Sequence, residues 1–427
     1  HDDSSVIDTL FLDEDNRFAY NIETLSPGLH SFVHGGEYQI VVLEPNDSIL
    51  IRLNTIDFDE SLVFTGVGAK KNNYLINLFN ELEVEEKEMY KISKLEPNEF
   101  IAEIDSHCNK KKSELGAFTE RQECSELFNK VANSTIDFFY NTQKELYPFR
   151  YFGRHKLANY KNLPQEFYNY RTTIDYDDDD LKDFFPYYKF MWTHIDNLAL
   201  GDYFKTTGDT IFNRNSIVYN LNKLDIIDDL VGNSSIKNNL LKYSTRNYLS
   251  YANTMEDCES MYNSFIEKTT DKEHKEYITG LLNSLKKLQP GNLFPDIEVV
   301  DYKNNVANIN TKIEKPTVIY FWTKAIRNHF KNSHTRVLEL KEKYPEINFI
   351  SININSSTKS TWKKMLMQNN FPLEQEYKFR DPEAAKKILA IHYINKVVIV
   401  DKNNLIVDSN ANLFSRDFDS VLNELKK

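Results

Sequence analysis

The chain has 427 residues, too many for one ordinary hydrophobic core, so two or three domains are expected. Its composition is globular, 41% hydrophobic and 27% charged, with 25 Tyr and 28 Phe against 12 Gly and 12 Pro. A net charge of −12 argues against a general nucleic-acid binder, which requires a basic footprint.

Residues 1 to 68 read as a small antiparallel β domain. Tyr38–Leu43 and Ser48–Leu53 flank Glu44-Pro45-Asn46-Asp47. The second segment alternates apolar and polar residues and the connector is turn chemistry, which predicts a β-hairpin. Glu60–Gly68 gives a further strand closing on glycines, and Gly28, Gly35 and Gly36 punctuate the earlier strands. The expected product is a sandwich or part of one.

Residues 69 to 289 change to a helical period and predict an all-helical domain. Leu75, Leu78 and Phe79 share one helix face. Glycines are few and isolated, and Pro148, Pro164 and Pro186 mark helix boundaries. The Tyr and Phe residues between 138 and 204 are expected to form the core. Pro290-Gly291-Asn292-Leu293-Phe294-Pro295 is the clearest linker.

Residues 296 to 427 alternate strand and helix. A strand near Ile297–Val300 precedes the apolar strand Thr317–Trp322, a long helix over Asn328–Lys343 and a buried strand over Asn348–Ile354. Helices over Lys359–Gln368 and Pro382–Ala390, strands Lys396–Val400 and Leu405–Val407, and a final helix Ser415–Lys426 complete the pattern. Continuous apolar strands between helices predict a sheet covered on both faces. The fold class is therefore multidomain α+β, with an α/β domain at the C-terminal end.

At this point the chain resembles a family, the TlpA-like thioredoxin-fold proteins of Bacteroidota. In the N-terminal part the resemblance rests on Leu43-Glu44-Pro45-Asn46-Asp47-Ser48, on Asp57-Phe58-Asp59-Glu60-Ser61-Leu62, and on the run from Phe64 to Leu75 (FTGVGAKKNNYL). In the last domain it rests on Val318-Ile319-Tyr320-Phe321-Trp322 and Val397-Val398-Ile399-Val400-Asp401. It implies a thioredoxin-like C-terminal domain and export to the cell envelope, periplasm or outer membrane, with lipid anchoring at the N-terminus.

Redox members carry Cys-x-x-Cys at the strand-to-helix junction, where the helix N-terminus lowers the first thiol's pKa. Here the matching stretch is Ile326-Arg327-Asn328-His329, and no cysteine follows Cys258. The family's cis-proline faces the dithiol, and Asn395 stands at that position; no proline follows Pro382. A non-proline cis bond costs about 2.5–4 kcal/mol, so a trans bond is expected. No catalytic role carries over to any residue, and the domain is expected to be redox-inactive.

Other signals are read in their plainer sense. His329 sits near a helix N-terminus, which disfavours a cation there, and its i, i+5 spacing to His334 does not suit one metal. Asp175–Asp180 lacks the central glycine and closing glutamate of a calcium loop and reads as an acidic cap. Phe149–Lys156 reads as a helix end with extended cations. Cys108, Cys124 and Cys258 form neither a disulfide framework nor a zinc pattern, although a Cys108–Cys124 bridge is open in an oxidising compartment. No run approaches the roughly 18 residues of a membrane span. No phosphate loop, HExxH or GxSxG motif occurs. The chain opens at His1 with no leader pattern, as expected of a mature or trimmed product.

These readings converge on a non-catalytic envelope accessory or scaffold protein with no cofactor and no metal, bound to protein partners in an outer-membrane complex. The alternatives are a thiol-disulfide oxidoreductase-related or chaperone-like periplasmic protein, and a glycan- or peptide-binding module suggested by the aromatic content.

Overall fold

The structure is a computed structural model that describes residues 8–25, 29–34, 37–54, 58–252, 254–355 and 361–425. Gly28, Gly35, Gly36 and Asp57, singled out in the sequence, lie outside them. The protein is mixed α/β, and the chain divides into two compact units, residues 1–244 and 245–427.

The first unit begins with two small ribbons. β1 (Leu29–His34) pairs antiparallel with β2 (Glu37–Val42). β3 (Ser48–Arg52) is followed by a single turn, α1 (Phe58–Ser61), and pairs antiparallel with β4 (Val63–Val67). The expected hairpin between the second and third strands is therefore not formed: the turn Glu44–Asp47 leads from one ribbon to the other.

The reason lies in α2 (Ala69–Ile92). Its first turn carries adjacent asparagines that act as strand surrogates. The Val42 N–H donates to Asn72 Oδ1 (2.8 Å) and Asn72 Nδ2 donates to the Val42 carbonyl (3.0 Å). Asn73 does the same for Phe64, at 2.9 and 2.7 Å. Backbone groups left at a ribbon edge must find partners, and here side chains supply them. Lys71 locks the connecting turn through ion pairs to Glu44 and Asp47, both 2.6 Å. Gly68, the N-cap of α2, has φ +85°, and a Cβ there would lie 2.1 Å from Asp47 Oδ1. Val41, Phe58, Leu62, Phe64 and Ile76 join Ile49 and Ile51 in the core under the ribbons.

The rest of the first unit is helical. α3 (Pro97–Thr119) is followed by α4 (Glu126–Tyr151) and the single turn α5 (Gly153–Lys156). Short 3-10 segments lead through Gln165–Thr173 to α6 (Phe185–Thr207), α7 (Ile217–Leu230) and α8 (Ser234–Leu249), within which the division between the units falls. Pro164 and Pro186 sit at element starts as expected, but Pro148 does not end a helix. It lies in the last turn of α4, where the lost N–H bond is tolerated and its own carbonyl still accepts from Phe152. The expected aromatic core is present: Phe100 packs on Tyr147 (4.2 Å between centroids) and Phe138 on Phe190 (5.1 Å), with Tyr187 and Tyr203 fully buried.

In the second unit α9 (Met255–Lys268) and α10 (Lys272–Lys287) precede a seven-stranded mixed sheet. β5 (Glu298–Asp301) and β6 (Val306–Asn308) form an edge hairpin. β7 (Thr317–Trp322), α11 (Arg327–Lys343) and β8 (Asn348–Asn353) make a parallel crossover. α12 (Thr361–Gln368), β9 (Glu376–Phe379), α13 (Pro382–Ile388), β10 (Val397–Val400), β11 (Ile406–Ala411) and α14 (Phe418–Glu424) follow. The strand order is β11-β10-β7-β8-β9-β5-β6, with β10 antiparallel to β7. A β-α-β half joined to a β-β-α half through that antiparallel pair is the thioredoxin-type arrangement. One face of the sheet is closed by Val337, Leu340 and Tyr344 of α11 with Phe418 and Leu422 of α14. A second cluster, Trp322, Phe330, Trp362 and Leu366, joins the end of β7 to α11 and α12.

Candidate functional site

The site expected from the sequence lies at one end of the sheet. β7 is buried throughout, and the chain leaves it in a turn fixed by Asn355, whose Oδ1 accepts from the Thr323 hydroxyl (2.7 Å) and the Lys324 N–H (3.1 Å). Ile326 is the N-cap of α11 and makes no side-chain cap bond, because an aliphatic side chain has no acceptor to offer. It is 46% exposed, and Arg327 and Asn328 are exposed beside it. His329 turns inward, with Nε2 3.2 Å from the Ser333 hydroxyl and its ring edge-on to Phe414. Burial, then the neighbouring His334, hold its pKa below the usual histidine value. His334 is fully enclosed, with Nδ1 donating to the Phe330 carbonyl (2.7 Å) and Nε2 3.3 Å from Glu376 Oε1. The two histidines thus serve different neighbours.

The loop before β10 reaches the same end of the sheet. Val397 pairs with Tyr320 and Val398 with Ile319, and Asn395 lies in the turn two residues before the first of these pairs. Asn395 is exposed, and no peptide bond among the described residues is cis. Its neighbour Lys396, by contrast, is 2% exposed. Burial lowers its pKa to about 8, against the opposing pull of Asp408. Nothing in the sequence marked this lysine, which stands at the head of an apolar run.

All three cysteines are free. Cys108 lies in α3 and Cys258 in α9, and burial pushes both thiols up to about 11, helped by Asp137 and Asp257 respectively. The Cys124 thiol is raised by burial, then by Glu44. None has the electropositive setting that activates a thiolate.

A second polar cluster, unanticipated from the sequence, is buried in the first unit. Glu145 of α4 has no exposed side-chain surface. Its Oε1 accepts from Tyr170 Oη (2.6 Å), Arg171 Nε (2.9 Å) and His194 Nδ1 (2.6 Å), and its Oε2 from Arg171 Nη2. Tyr176 Oη lies 2.9 Å from His194 Nε2, completing the chain. Burial alone would raise the Glu145 pKa, but the His194 bond and the Arg171 charge hold it below the usual carboxylate range. The acidic stretch 175–180 does not cap the α-helix that follows it, whose N-cap Phe184 makes no side-chain bond: Asp178 caps the 3-10 turn Asp179–Leu181, Asp177 accepts from the Gly232 and Asn233 N–H groups ahead of α8, and Asp178 and Asp180 pair with Lys130.

No family model and no curated protein matches the chain. Solved structures do. A protein provisionally named a thiol-disulfide oxidoreductase from Bacteroides vulgatus is 25% identical over 33% of this chain and 98% of its own, with a TM-score of 0.30. The thioredoxin domain of another thiol-disulfide oxidoreductase from that organism is 17% identical over 33% of this chain and 96% of its own, TM-score 0.27. A thiol:disulfide interchange protein from a Bacteroides species is 16% identical over 28% of this chain and 80% of its own, TM-score 0.26.

Proposed function

We propose that the protein is a binding subunit that uses a thioredoxin-type sheet as a scaffold and not for thiol exchange. The observation that supports this reading is the β7–α11 junction, whose outward groups are Ile326, Arg327 and Asn328 while every thiol lies elsewhere. Exchange begins with a thiolate attacking a disulfide sulfur. At pH 7 a thiol with pKa near 11 is ionised to about one part in 10⁴. The proposal keeps the β part, the helical part and the degenerate thioredoxin-like part read from the sequence as functional divisions, laid over two compact units, residues 1–244 and 245–427. Following the family resemblance, the protein is exported, lipid-anchored and docked on an outer-membrane protein complex.

Two measurements test it together. Insulin disulfide reduction by dithiothreitol should run no faster with the protein than without it. Turnover that one Cys→Ser change abolishes would sink the proposal. Gentle detergent extraction of the tagged protein should recover a stoichiometric protein partner, and Ile326→Glu with Asn395→Glu should lose it. Recovery of the protein alone would count equally against a subunit role.

A further inference from the structure

Beside the Glu145 cluster the first unit has an open cleft of about 290 Å³, walled by the 3-10 segments and by α6. Its charged lining is one-sided. Lys161 and Arg171 are both cations, and among the described residues no acidic side chain lines it, in a chain whose net charge is −12. Glu145, the acid that balances Arg171, is turned inward and fully buried. It engages Arg171 through Nε and Nη2, one edge of the guanidinium fork, which leaves the other edge unused by this carboxylate. That plane is held rigidly: it stacks on the Tyr168 ring with the central carbon 3.6 Å from the centroid. Tyr168 is fixed in turn by Asn197, whose Nδ2 donates to its hydroxyl (3.1 Å) and to the Glu145 carbonyl (2.9 Å). The lining also offers carbon surface, from Leu163, Pro164, Leu198 and the Cα of Gly201.

We propose that this cleft binds a small organic carboxylate, with the acid group on Arg171 and Lys161 and the carbon body against Leu163, Pro164 and Leu198. A planar guanidinium edge matches two carboxylate oxygens in parallel, and a ready-made orientation removes the entropy cost of assembling it. The buried cluster is explained by this assignment: Glu145, Tyr170 and His194 keep the fork in one pose while the ligand comes and goes. The proposal concerns the first unit and stands independently of the thiol reading of the second.

The test uses the full chain and matched probes, glucuronate against glucose and benzoate against benzyl alcohol, followed by ligand-observed NMR. The acids should bind saturably at millimolar concentration or below and the neutral partners at least tenfold more weakly. Gly201→Leu, which fills the cleft at a helical position where a Cβ meets only the Tyr160 hydroxyl at 3.5 Å, should abolish binding. Lys161→Met, at an exposed site, should weaken it about 3–10-fold by losing one charge contact, and it serves alone if the glycine variant does not fold. Equal binding of acid and neutral partner would overturn the assignment. So would no saturable signal, or binding of inorganic phosphate alone.

Discussion

Lys396 shows how a single side chain can carry a cost that the fold imposes. Its ammonium is enclosed at the head of β10, and burial lowers its pKa from 10.5 to about 8. Below pH 8 both folded and unfolded chains hold the proton, so the folded state carries the full burial penalty. Between about pH 8 and 10.5 the unfolded chain binds more protons than the folded one, and stability rises with pH through this group. Tyrosines and thiols with raised pKa values act in the opposite sense at alkaline pH, so the effect is isolated by difference. Lys396→Met should stabilise the second unit by about 1–3 kcal/mol at pH 7, and the gain should shrink toward zero by pH 10.5. Urea unfolding of both proteins at the two pH values checks it; a gain independent of pH would show that packing and not charge is responsible. The sequence could not announce this lysine, because an ionisable residue beside an apolar strand is usually solvated and only the folded surroundings decide otherwise. Glu145 was hidden for the same reason: its partners Arg171 and His194 come from segments 26 and 49 residues away.

At the scale of elements, legibility followed the range of the forces involved. The strand Thr317–Trp322 has the bounds expected from its apolar run, since a strand buried on both faces needs no distant information. The first strands were harder. Turn chemistry at Glu44–Asp47 was read correctly as a turn, yet it joins two ribbons and not two partners. What decided the pairing was Asn72, 30 residues beyond Val42, which occupies the backbone groups a hairpin would have used. Asn72 is fully buried, so Asn72→Ala would leave both Val42 groups without these partners. At about 1–3 kcal/mol for each unsatisfied buried group, the loss should reach about 2–6 kcal/mol. Chemical denaturation measures it directly, and a loss under about 0.5 kcal/mol would mean that the ribbon edge finds other partners.

At the scale of the molecule, the chain divides into two compact units, and each holds a thiol whose pKa burial raises to about 11: Cys108, half-buried, in the first, and Cys258, buried, in the second. That arrangement turns the cysteines into position-specific reporters. A thiol whose pKa is pushed up to about 11 by burial reacts slowly while its unit is folded and regains ordinary reactivity when it opens. With Cys124, a second thiol of the first unit, changed to Ser, labelling in increasing urea should report each unit by mass spectrometry of the two peptides. Asn72→Ala should then lower the midpoint seen at Cys108 and leave that at Cys258 within error, whereas Lys396→Met should raise only the midpoint at Cys258. Distant substitutions without shared partners are expected to act separately in this way. If either change moves both midpoints by the same amount, the chain unfolds as one cooperative body, and the units are divisions of packing without being divisions of stability.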